Sequence, residues 1–101
     1  MKFLKLTLIT LTLSFTAIYA DGVDKDFDEG VKYDQGNNLD AAIGAYQKSI
    51  ANNPNNADAY NNMGADYLAQ SKIKEAIDAF KKACDLGNSA GCENYNSLKG
   101  D

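Results

Sequence analysis

The chain repeats itself at a lag of 34 residues, with no gap. Residues 23–56 laid on 57–90 bring Gly30 onto Gly64, Tyr33 onto Tyr67, Leu39 onto Ile73, Ala42 onto Ala76, Ile43 onto Ile77, Ala45 onto Ala79 and Tyr46 onto Phe80. A period of 20–50 residues marks a stacked array, in which each unit buries its apolar face only against a neighbour. Such an array presents a surface to something else and is poorly suited to enclosing a reaction.

Two helices are predicted within each period. Leu39, Ala42, Ile43, Tyr46 and Ile50 fall at the 3-and-4 spacing of one helical face, as do Ile73, Ala76, Ile77, Phe80 and Ala83. The expected spans are about 24–36 and 39–52 in the first unit, and about 57–70 and 73–86 in the second. Asn38, Ser71 and Asn56 stand where N-caps are wanted, and Gly36 and Gly87 where helices end. Pro54 lies in the connection between the units.

The residues at fixed positions resemble a tetratricopeptide repeat. From Ala57 to Ala90 the pattern is met by Tyr60, Met63, Gly64, Tyr67, Ala76, Phe80 and Ala83, and in residues 23–56 by Gly30, Tyr33, Ala42, Tyr46, Ser49 and Pro54. Small residues such as Gly64 and Ala76 let antiparallel helices approach, while Tyr67 and Phe80 fill the space beside them. The resemblance implies an all-α, right-handed α-solenoid of two helix hairpins plus a C-terminal capping helix. Repeat 1 would span 23–56, repeat 2 57–90 and the cap 89–99, within a domain of residues 21–101. Asp26 and Glu29 stand where a repeat would pack on a preceding one, so they read as a water-facing first unit. Cys92 and Tyr95 take the places of Tyr60 and Met63 at a lag of 32, as the start of a helix that lids the stack.

Ahead of the array, residues 1–20 read as a signal peptide. Lys2 and Lys5 precede an apolar stretch from Leu6 to Tyr19, which ends at the small residue Ala20. The stretch is short of the roughly 20 residues a spanning helix needs, so no stable membrane anchor is expected. No cysteine near the cleavage point offers a lipid attachment. Cleavage after Ala20 would deliver a periplasmic or secreted protein. It would remove two of the ten lysines and leave eight against fourteen Asp and Glu, a balance of −6, with no arginine. An acidic domain repels phosphate backbones and anionic lipid, which argues against nucleic acid as a partner.

The connection from Lys81 through Cys84 to Cys92 resembles the junction of cysteine-rich bacterial secreted proteins with Sel-like repeats. The resemblance covers residues 81–96 and implies that Cys84 and Cys92 form a disulfide bridging one helix to the next. An oxidising destination and an even cysteine count agree with it. Two thiols without any histidine cannot fill a tetrahedral zinc site, and seven intervening residues do not make a redox motif. That family also implies an alternative role, acting on a host factor or on cell-wall material, with hydrolysis as the chemistry.

Asp24, Asp26 and Asp28 have the alternate spacing of a calcium loop, but Glu29 replaces its turn glycine and Gln35 its closing glutamate. They read instead as acids favoured at a helix N-terminus. With no histidine, and serines 49, 71, 89 and 97 lacking a partner base, no catalytic, metal or cofactor residues are assigned. In tetratricopeptide proteins the inner faces of the first helices line a groove for an extended peptide or a helix. The matching positions are Asp24, Phe27, Val31 and Asp34 in unit one, and Asp58, Asn61, Asn62, Ala65 and Leu68 in unit two. Phe27 and Leu68 read as apolar anchors, and the acids favour a neutral or basic protein partner. The leading expectation is an exported adaptor module. The secreted Sel-like role is the second reading, and a self-associating homodimer the third.

Overall fold

Helical spacing is realised as five helices in the computed structural model, which describes residues 24–100. They are α1 (Lys25–Gln35), α2 (Leu39–Asn52), α3 (Ala57–Ala69), α4 (Ile73–Asp85) and α5 (Ser89–Lys99). There is no strand among the described residues. Each boundary lies within one residue of the sequence expectation. The expected signal segment 1–20 lies outside the described residues. Each helix packs mainly on the next, and α3 also reaches α5, which is the arrangement of an all-α solenoid.

The two-helix hairpins close around glycine. A Cβ on Gly64 would lie 2.7 Å from the ring of Phe80, and one on Gly30 would overlap the ring of Tyr46. The rings therefore lie directly on the α3 and α1 backbones, and both Phe80 and Tyr46 are fully buried. Ala42, Ile43, Tyr46, Ala59, Met63 and Ala79 form the central core, with Phe27, Val31, Ile50, Tyr60 and Tyr67 packed around it. Ile73, expected on the buried face of α4, is 44% exposed. It occupies the first position of its helix, where the stripe has not yet turned under α3.

Three helices end in the same way. At the ends of α1, α3 and α4, residues 37, 71 and 87 take positive φ, at 59°, 64° and 99°. Asn38 N–H then donates to the Tyr33 carbonyl, Lys72 N–H to Tyr67 and Asn88 N–H to Ala83, at 2.8, 2.8 and 2.9 Å. This is the Schellman closure, which wants glycine or asparagine at the left-handed position. Gly87 meets that demand as expected. Gly36 does not serve it, because Asn37 takes the left-handed conformation and Gly36 keeps φ at −89°.

The closure also corrects one cap. Ser71 is not the N-cap of α4. It is consumed as the left-handed residue that ends α3, and the cap falls on Lys72, whose side chain makes no capping bond. The other four helices are capped by Asp24, Asn38, Asn56 and Asn88, each accepting from the amide three residues on.

Cys84 and Cys92 are joined in a disulfide with Cα atoms 4.4 Å apart, pinning the start of α5 to the end of α4. Gly91 lets α5 settle there, since a Cβ would meet Ala83 at 2.6 Å. Glu29 is exposed on α1, and Asp26 accepts from Asn52 Nδ2 at 3.2 Å.

Candidate functional site

The nine residues expected to line the inner face belong to α1 and α3, apart from Asp24, which caps α1. Most of their polar groups are engaged within the molecule. Asp24 accepts from the Phe27 amide through one oxygen, and from Ser49 Oγ and Asn56 Nδ2 through the other, at 3.0 and 2.9 Å. Asp58 accepts from Asn88 Nδ2 at 2.9 Å. The two contacts are the same joint repeated: an acid at the start of one unit receives the cap asparagine of the next. Asn61 likewise accepts from Asn94 Nδ2 at 3.2 Å.

Phe27 and Val31 are half-buried against the core, and the Phe27 ring lies 5.7 Å from Tyr46 in a tilted pair. Ala65 and Leu68, one turn apart on α3, remain open to solvent. Leu68 is 39% exposed, which for a leucine leaves a usable apolar contact.

Asp34 and Asn62 meet at the hydroxyl of Tyr46, which donates to Asp34 Oδ2 and accepts from Asn62 Nδ2 at 3.4 Å. Burial, and then the bond to Asp34, push the Tyr46 phenol well above its ordinary range. Beside them lies Asp66, which is 5% exposed. Desolvation first, and then the hydrogen bond and the negative charge of Asp34, push its carboxyl up to about 8. Sequence reasoning missed Asp66. The signal was present: Asp66 stands seven and three residues along from Ala59 and Met63, on the stripe of α3 that faces α2. A carboxylate on an apolar stripe is worth notice because a buried acid demands a partner or a proton.

On the other side of α3 from Asn61 and Ala65 lies a shallow groove that was not expected. Tyr60, Met63 and Tyr67 form its floor with Ala79, and Glu75, Asp78 and Lys82 of α4 edge it, around a volume of about 350 Å³. The Tyr67 hydroxyl is tied to α2 by Gln47 Nε2 at 3.4 Å. The molecule thus offers two faces, an inner one built on α1 and α3 and an outer one between α3 and α4.

Both thiols are spent in the disulfide, and among the described residues no group of three or more His, Cys, Asp or Glu is placed to hold a metal. No helix among the described residues is long and apolar enough to cross a membrane.

Two family models match the chain. One, described as TPR repeat, covers residues 30–70, and the other, Tetratricopeptide repeat, covers 57–87. Neither of the two is a Sel-like model, and no curated protein matches the chain. Such repeats generally mediate protein–protein interaction. The two matches together span 30–87, with the hairpins, buried rings and glycine contacts in register, and over that span the chain carries tetratricopeptide repeats.

Proposed function

We propose that this chain is an exported protein-interaction module that takes a neutral or basic peptide, or a partner helix, on its inner face. The observation that carries the reading is Leu68, 39% exposed one turn from the exposed Ala65, on a face whose other residues are acids, carboxamides and the half-buried Phe27 and Val31. The carboxylates Asp24, Asp34 and Asp58 give that face its sign, and among the described residues no lysine is paired with them. The disulfide supports an oxidising destination, and the N-terminal signal pattern supplies the route.

The test is a peptide array of neutral, basic and acidic sequences, probed with wild type and with a Leu68→Asp/Ala65→Glu variant of unchanged melting temperature. Neutral or basic peptides retained by wild type and released by the variant are the expected result. Equal binding by the two proteins refutes the inner face. A Glu75→Lys/Asp78→Lys variant run alongside places binding on the outer groove if it alone loses the peptides. Light scattering on the same samples reports a homodimer, which would replace the adaptor reading if the Leu68 variant dissociated it.

A further inference from the structure

The Tyr46 hydroxyl has one proton to give, and it goes to Asp34 Oδ2. That leaves Asp34 Oδ1 and Asp66 Oδ2, both buried and neither receiving a donor from the protein. The two carboxyl groups lie within hydrogen-bonding reach of each other. Two bare carboxylates in such contact repel, whereas a single proton between them supplies a donor to one and an acceptor to the other. One proton therefore accounts for both orphaned oxygens at once.

We propose that a single proton held between Asp34 and Asp66 latches repeat 1 to repeat 2 and makes the joint between the repeats open on the alkaline side of neutrality. Asp34 is on α1 and Asp66 on α3, so the bond ties the first helix of one unit to the first helix of the next. Tyr46 from α2 and Asn62 from α3 face the pair, and Asp34 is the one charged group that acts on the Asp66 carboxyl. Among the described residues the only ammonium within 4 Å of a carboxylate is Lys81, on Asp85 in α4. No lysine can thus take over when the proton leaves. Removal of the proton by hydroxide leaves two adjacent anions, and the strain is relieved by separating α1 from α3.

The sign follows from linkage. The unfolded chain releases this proton near the ordinary aspartate value of about 4, and the folded pair keeps it until about 8. The latch contributes fully below the lower value, weakens as the pH rises between the two, and is lost above the upper one. The pair titrates as a unit, so the observable is its macroscopic step and not the charge of one residue.

The experiment is a carboxyl-carbon NMR titration of the purified protein from about pH 4 to about pH 10, with hydrogen exchange read over the same range. One of the two carboxyl signals is expected to step above pH 7. Amide protection in α1, corrected for base catalysis, should fall about tenfold or more through that step, while α4 and α5 hold theirs. In Asp66→Asn the amide donates to Asp34 at every pH, and α1 protection should stay level. Both carboxyls titrating below pH 5, or an Asp66→Asn variant that loses protection as wild type does, would overturn the latch. The wild-type titration decides the matter even if the variant does not fold.

Discussion

Lys72 is the perturbation from which the most can be learned, because it occupies the one N-cap among five helices that makes no side-chain bond. In the other four, the cap oxygen lies 3.0, 3.4, 3.1 and 2.7 Å from the amide three residues later. The corresponding amide for α4 is that of Glu75. Replacing Lys72 by asparagine gives that amide an acceptor, which is worth about 1 kcal/mol. It also removes a positive charge from the positive end of the helix dipole, worth about 0.3 kcal/mol or more at low salt. Lys72 is exposed, so little packing is lost. No gain is expected from a reciprocal bond by Glu75, because the residue-72 amide already donates to Tyr67. For a domain of this size the sum, about 1.3 kcal/mol, corresponds to a rise of roughly 5–10 °C in melting temperature. Circular dichroism melts at low and high salt separate the two contributions, since only the charge effect is screened. A melt of Lys72→Asn within about a degree of wild type, beside a clear loss in Asn88→Ala, would refute the capping argument.

Further outcomes follow from the same contacts. Gly64→Ala should cost about 2 kcal/mol or more, because its Cβ meets the Phe80 ring at 2.7 Å, whereas Gly44→Ala, with nothing within 4 Å, should gain about 0.5–1 kcal/mol; denaturant midpoints compare them directly. Reducing the disulfide opens a nine-residue loop and should cost about 2.5 kcal/mol in the chain-entropy account, read as a lower urea midpoint with dithiothreitol and no change in a Cys84→Ser/Cys92→Ser variant. Tyr46→Phe should cost about 1–3 kcal/mol despite Phe80 filling the matching place in repeat 2, since it strips Asp34 Oδ2 of its donor. Thermal melts of that variant beside Phe80→Tyr test whether the hydroxyl or the ring matters.

The 34-residue lag made the helices and their order legible, because the residues that repeat are those the backbone geometry cannot exchange. Gly30 and Gly64 lie against rings, and Tyr46 and Phe80 are the rings. The caps were legible only where the turn did not compete for them. Asn56 closes a turn through its own amide, which donates to the Asn53 carbonyl at 3.0 Å, and its side chain stays free to cap α3, whereas Ser71 is claimed by the closure of α3 and shifts the cap to Lys72. The inner face was harder to read. Spacing placed Asp24 and Asp58 on it, but not that each would be held by an asparagine 32 or 30 residues further along the chain. Asp66 escaped because an acid on a helix reads as solvated until its neighbours Ala59 and Met63 are seen to turn inward. The outer groove depends on how far α4 stands from α3, which no local pattern encodes.

The Asp24–Asn56 and Asp58–Asn88 contacts carry a consequence for how such a molecule could change size. The seat that receives α5 is made of the same two side chains as the seat that receives α3. A duplicated copy of residues 57–88, spliced in after Asn56, would find Asp24 waiting behind it and would set its own Asn88 directly before the next Ala57, within reach of its own Asp58. Length in this architecture is then a matter of how many times a coding segment is copied, with no fresh complementarity to be evolved at the junction. A chain that can grow by recombination alone can widen its reach before any residue on its surface is altered.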